Sequence, residues 1–225
     1  MPGKNYKNFT LIELMVVMFV IAALTGLLVP ALSTARNQAR KIQCLNNMRQ
    51  IGIAIAAYSC NFNNKFPPWI SSLNPAYLSN ADIFHCPFDR NPSSRPPELW
   101  LSHNEGKYSE AYDRPKPSGF IYPEGNKRWN SKVTKVSYFY EFSDSVCTLL
   151  QPVQNNVSWN MFKVDVLKNG INPYSKQSYR SDMSHFPVLR CFWHLKYGKA
   201  QPVLNVSPEG NCFYSMSEWE KKTWQ

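Results

Sequence analysis

The chain has no Cys-x-x-Cys pair, no Gly-x-Gly-x-x-Gly or Walker A loop, no Gly-x-Ser-x-Gly and no His-Glu-x-x-His. These absences argue against a zinc ribbon, a phosphate-cradling loop, an α/β-hydrolase elbow and a helical zinc protease. There is no internal repeat and no low-complexity tract. Glycine is scarce, at 9 residues against 17 Pro and 12 Tyr, which suggests a rigid, turn-rich, aromatic domain. Acidic residues are missing between Glu13 and Asp82. The formal net charge is +10, but no dense Lys/Arg cluster accompanies it, so nucleic acid is not an expected partner.

What is present begins with an uncharged run. Leu14 to Leu32 (LMVVMFVIAALTGLLVPAL) carries no formal charge, and at 1.5 Å per residue it is about the length needed to cross a hydrocarbon core of ~30 Å. Lys4 and Lys7 precede it, which places the extreme N-terminus in the cytoplasm and exports the rest. A cleaved secretory signal, with Ala31-Leu32-Ser33 as its small-x-small site, and a plain membrane anchor both fit this pattern. Neither explains Glu13, a carboxylate at the mouth of an apolar helix that needs a partner.

The string Lys7-Asn8-Phe9-Thr10-Leu11-Ile12-Glu13-Leu14 resembles the prepilin processing signal of type IV pilins and pseudopilins. The resemblance implies cleavage between Asn8 and Phe9 by a prepilin peptidase, and N-methylation of Phe9. It implies that Glu13 pairs with the Phe9 ammonium of a neighbouring subunit. It also implies a helix-kinking role for Pro30, which leaves the Gly26 carbonyl without its helical donor. Residues Val29 to Ser59, then Asn64-Lys65-Phe66-Pro67-Pro68 and Phe84-His85-Cys86-Pro87, are similar to a large bacterial group of pilin-like proteins. Those share a PALS-x-AR segment, a Cys-x-Asn-Asn-x-x-Gln-Ile-Gly segment and a Phe-x-Cys-Pro element. The resemblance is good through about residue 89 and thin beyond. A C-terminal His followed after about nine residues by Asp-Gly is common in that group; His194 with Glu209-Gly210 departs from it, and no role is carried over.

Cys44, Met48, Ile51, Ile55 and Tyr58 recur at steps of four and three, a stripe along one helical face. The expected fold is therefore α+β. A leader covers residues 1–8 and one helix covers 9–59, transmembrane over 14–32. A β-rich antiparallel head covers 60–225, with a long Pro-rich loop at 87–130. Strands are expected at Val133–Phe142, Val146–Gln151 and Val188–His194. A hairpin is expected from Val203–Val206 and Asn211–Ser215 around Ser207-Pro208-Glu209-Gly210.

Six cysteines suit one to three bridges in an exported protein. Cys44 and Cys86 both match cysteines of the resembling group, and Cys44 lies on the stripe facing the head, so they form the first candidate pair. Cys191 with Cys212, on what should be neighbouring strands, is the second; Cys60 with Cys147 remains. The histidines (His85, His103, His185, His194) are scattered. Cys191-x-x-His194 is half a metal site at most, because two such side chains on a strand point to opposite faces. No metal, no cofactor and no catalytic residue is expected.

The reading is a structural subunit of a type IV pilus-like or type II secretion pseudopilus fibre. Its expected partners are related pilin subunits, prepilin peptidase and inner-membrane lipid, with the head in the periplasm or in an extracellular fibre. Two other classes stand beside it: a binding module for DNA, glycan or a surface on a pilin-like anchor, and a membrane-anchored enzyme. The resembling family carries Gly where Asn8 stands, and a bulkier side chain there should slow cleavage. Asn8→Gly is accordingly expected to raise the processed fraction on a gel; complete processing of the unaltered chain would show that Asn8 is no handicap.

Overall fold

The computed structural model describes residues 9–90, 113, 130, 132–145, 157–170, 183–194 and 203–215. Helix α1 spans Leu11–Asn61, and the chain divides within it into two compact units, Met1–Lys41 and Ile42–Gln225.

In the first unit α1 is apolar and its side chains are exposed, from Phe9 and Leu11 through Phe19 to Leu32. It is the one helix among the described residues long and apolar enough to cross a membrane. The helix runs on through Pro30, which has no N–H to offer the Gly26 carbonyl. The Thr34 hydroxyl donates back to the Pro30 carbonyl at 3.1 Å.

The second unit holds the core. The face of α1 carrying Cys44, Met48, Ile51, Gly52, Ala54 and Ile55 is buried, as the four-and-three spacing requires. After α1, 3₁₀ turns occupy Ile70–Leu73 and Ala81–Phe84. Strands β1 (Phe139–Tyr140), β2 (Leu189–Cys191), β3 (Val203–Val206) and β4 (Cys212–Ser215) form an antiparallel sheet in the order β1-β2-β3-β4. The β3–β4 hairpin is the one expected. Its turn closes with Gly210 N–H donating to the Ser207 carbonyl at 2.9 Å, and Gly210 has φ +81, a backbone state glycine adopts without strain.

Two strands are shorter than their composition suggests. Val133–Phe142 gives only Phe139–Tyr140, because Val133 N–H donates to the Asn130 carbonyl and Ser137 N–H to the Phe84 carbonyl. Those amides serve a loop instead of the ladder. Val188–His194 gives only Leu189–Cys191, because the chain turns at residues 193–194. The expected strand at 146–151 and most of the loop at 87–130 lie outside the described residues.

An 11-residue helix, α2 (Trp159–Asn169), is additional to the expected elements. Trp159, Phe162, Val164 and Val166 suit a strand while Met161, Lys163, Leu167 and Lys168 suit a helix, and its ends carry helix signals. The Ser158 hydroxyl caps the Met161 N–H at 3.2 Å, and Gly170 closes the C-terminus at φ 63.

Alternation along the strands places the two helices on opposite faces of the sheet. Val206 lies opposite Leu189 and meets α1 at Gly52. Phe139 and Arg190, opposite each other in register, point the other way. Phe139 packs edge-on to Trp159 of α2 at 5.5 Å. Covered on both sides, β2 and β3 are buried throughout, and the two polar residues among them, Arg190 and Asn205, bond to each other on the α2 side.

Gly52 sets the spacing of α1 from the sheet. A Cβ there would stand 2.8 Å from the Val206 Cγ1, a stiff side chain with little room to yield. Gly52→Ala gains about 1 kcal/mol of helix propensity but incurs an overpacking cost of roughly 1–3 kcal/mol. The expected net effect is destabilisation of about 1 kcal/mol, larger for Gly52→Leu, read as a lower urea midpoint. A stabilised Gly52→Ala would show that the contact yields freely.

Candidate functional site

At the N-terminus, Thr10 caps α1 and Glu13 answers it. The Thr10 N–H and hydroxyl both donate to the Glu13 Oε2, at 2.9 and 2.7 Å, and the Glu13 N–H donates to the Thr10 hydroxyl at 3.3 Å. This is a capping box, Thr-x-x-Glu, readable in the sequence as a helix-start signal. The carboxylate thus has a local partner in addition to any partner on another chain. Phe9 is exposed just outside the helix; Asn8, Lys4 and Lys7 lie outside the described residues.

A second assembly sits in the head. Cys44 of α1, Cys86 of the Phe-x-Cys-Pro element, Cys191 at the end of β2 and His194 in the following turn bring their ligand atoms within 4.8 Å of one another. The three sulfurs form an equilateral triangle: Cys44 to Cys86, Cys86 to Cys191 and Cys191 to Cys44 are each 3.6 Å. His194 Nε2 lies 3.8 Å from the Cys86 sulfur. All three thiols are buried and free, and His194 is half-buried.

The surroundings hold these groups in place. The Asn47 side-chain amide, one turn along α1 from Cys44, donates to the His85 carbonyl at 3.1 Å and fixes the Cys86 segment against the helix. The Asp89 N–H donates to the Cys86 carbonyl at 2.9 Å, and the Phe88 ring meets His194 edge-on at 4.6 Å. Thiol hydrogen bonds from Cys191 and Cys44, with a smaller contribution from His194, lower the Cys86 thiol to about 2. Burial pushes the Cys191 thiol up.

Three readings of these residues change. Cys44 and Cys86 do come together, but as members of a trio with no sulfur pair at the ~2.05 Å of a disulfide. Cys191 and Cys212 do not share adjoining strands, because β3 lies between β2 and β4; Cys191 turns towards α1 instead. Cys191 and His194 are not on opposite faces of a strand, because β2 ends at Cys191 and the turn swings His194 to the thiols' side. A donor set of four thus stands where no metal ligands were expected. Cys60 is exposed, and Cys147 lies outside the described residues.

Two further buried polar groups stand apart from these. Glu141 is fully buried between Lys163 of α2, at 2.8 Å, and Arg190 of β2, at 3.3 Å. Arg190 also donates to the Asn205 Oδ1 at 3.1 Å, and Lys163 lies over the Trp159 ring. A trio satisfied from both sides in this way is a structural clamp joining α2 to the sheet. Asp113 is fully buried and accepts the Ser71 N–H at 2.7 Å, while its other oxygen has no partner among the described residues.

Residues 5–29 match the family described as "Prokaryotic N-terminal methylation motif". This match supports a type IV pilin- or pseudopilin-like chain. Residues 33–77 match a second family, described as "Protein of unknown function (DUF1559)". This match takes in the apolar stripe of α1 and Cys44 but stops short of Cys86. No curated protein and no solved structure matches the chain. A pilin-like motif of this kind goes with prepilin peptidase processing, assembly with pilin subunits, and a membrane-anchored or pilus-associated location. Such proteins are generally structural.

In this pilin-like chain the Asp113 carboxyl is pushed up to about 7 by burial, against the lowering effect of its bond from Ser71. Its value in the unfolded chain is about 3.9. The folded state therefore binds the proton more tightly, and this contribution to stability is full below about pH 4 and lost as pH rises through about 7. Asp113→Asn keeps an acceptor for the Ser71 N–H and carries no charge. It is expected to remove this part of the pH dependence and to raise stability by roughly 4 kcal/mol at most at pH 8. Urea melts at pH 5 and pH 8 check it; an unchanged difference between the two pH values would refute the assignment.

Proposed function

We propose that the chain is a structural subunit of a type IV pilus-like or type II secretion pseudopilus fibre, exported with its head outside the cytoplasm. The observation that carries this reading is Glu13, a carboxylate in the first turn of α1 immediately before the uncharged, exposed apolar run Leu14–Leu32, within the matched methylation motif. Residues 1–8 are the leader, the peptide bond between Asn8 and Phe9 is cleaved, and Phe9 becomes the methylated terminus. The bare apolar surface of α1 from Phe9 to Leu32 lies first in lipid and then among the helices of neighbouring subunits.

The capping box makes a sharper test than removing the carboxylate. Glutamine at the N3 position can still bond back to the cap but has no charge to offer an ammonium. Cleavage before Phe9 leaves both Thr10 and Glu13 in the mature chain, so the cap survives processing. In a low-dielectric bundle, a carboxylate–ammonium pair fixes register more surely than it adds stability.

Glu13→Gln is expected to insert into the membrane as well as the unaltered chain and to keep its helix. It should nevertheless fail to enter fibres, by at least roughly the tenfold that follows from losing 1.4 kcal/mol of pairing. Glu13→Ala should fail equally, while Thr10→Val, which loses the hydroxyl half of the box, should still assemble. Sheared-fibre fractions and membrane fractions probed for the head measure both steps. Normal assembly of Glu13→Gln would refute a charge-dependent register.

A further inference from the structure

We propose that Cys44, Cys86, Cys191 and His194 bind one zinc ion in a closed, structural Cys₃His site. This inference is independent of the fibre reading, since it rests on the head alone.

The first support is the shape of the cluster. Thiolates each ~2.3 Å from a tetrahedral ion stand about 3.8 Å apart, and a thiolate and an imidazole nitrogen on the same ion stand about 3.6 Å apart. The observed separations are 3.6 Å for every sulfur pair and 3.8 Å from Cys86 to His194 Nε2. Three equal edges are what a central ion requires. A disulfide would draw one pair together and leave the third thiol and the imidazole without purpose.

The second support is the donor set. Three thiolates and one imidazole suit a borderline-soft cation with no preferred d-electron geometry, which selects zinc over magnesium or calcium. A cluster of several irons needs its cysteines farther apart than 3.6 Å. All four positions come from protein, so no place is left for water or substrate, and the site is structural in kind.

The third support is its framing. The Asn47 and Asp89 hydrogen bonds fix the Cys86 segment, and the Tyr138 hydroxyl donates to the His85 carbonyl at 3.4 Å, next to Cys86. These are outer contacts of the kind that orient metal ligands. On binding, three S–Zn bonds form, and each thiol proton still present passes to solvent. His194 enters as the neutral imidazole through Nε2.

The test uses the full chain, extracted in mild detergent from zinc-supplied cells without chelator. Metal analysis is expected to give about one zinc per chain, and the intact mass should show Cys44, Cys86 and Cys191 without a disulfide. Exchange of the zinc for cobalt(II) should give the strong visible bands of a tetrahedral thiolate site. Cys191→Ser and His194→Ala should each lose zinc affinity by at least roughly tenfold, whereas Cys60→Ser combined with Cys212→Ser should keep the full equivalent. If the single variants misfold, the cobalt spectrum and metal content of the unaltered chain still decide. A disulfide between any two of the three cysteines, metal-free reactive thiols at those positions, or zinc that persists in Cys191→Ser would each overturn the proposal.

Discussion

The head depends on how closely α1 lies against its sheet. The buried face of the helix from Cys44 to Ile55 supplies one wall of the core, and Gly52 lets the backbone approach until only a hydrogen separates it from Val206. The same approach, about two turns towards the N-terminus, brings the Cys44 sulfur within 3.6 Å of Cys191 on the sheet. A helix held farther off by a side chain at residue 52 would leave Met48 and Ile51 poorly packed and would open the thiol triangle. Core packing and cluster geometry are thus set by one distance.

The N-terminal half of α1 solves a different problem. It has no core to join, and its exposed apolar surface is far larger than a soluble helix carries. Among the described residues the capping box is the one polar arrangement at its start, and it uses the same carboxylate that the resemblance assigns to contact with another subunit. A single side chain thereby serves the helix alone and the helix in company. Glutamine and alanine at residue 13 separate the two duties, because only glutamine retains the first.

Much of this was legible in the residues. The uncharged run, Glu13 and the four-and-three stripe gave α1 to within two residues at each end, and Pro208 with Gly210 marked the last hairpin. What escaped has identifiable causes. Helix α2 mixes strand formers (Trp159, Phe162, Val164, Val166) with helix formers (Met161, Lys163, Leu167, Lys168), so composition alone does not decide it, and Ser158 and Gly170 mark its ends. The strand at 133–142 is cut short because Phe84, some fifty residues away, takes the Ser137 amide. The thiol cluster could not be read from spacing at all. Its members lie 42, 105 and 147 positions apart, and the turn that brings His194 to the same side as Cys191 leaves no mark that periodicity detects. The Cys-x-x-His pair was visible; the two partners that complete it were not.

Those separations bear on the order in which the chain can take shape during synthesis. Met48 and Ile51 face a sheet whose last strands begin at Val203, so the stripe on α1 emerges with its partners more than a hundred and fifty residues from being made. Long-range pairings of this kind are slow to form, because the loop must close before any contact rewards it. For most of translation the chain is a finished apolar helix followed by an incomplete core, a state prone to sticking to other unfinished chains. A lipid bilayer that takes up the first half of α1 would hold each nascent chain apart from its neighbours through that interval, so the anchor would act as a folding aid before it acts as anything else.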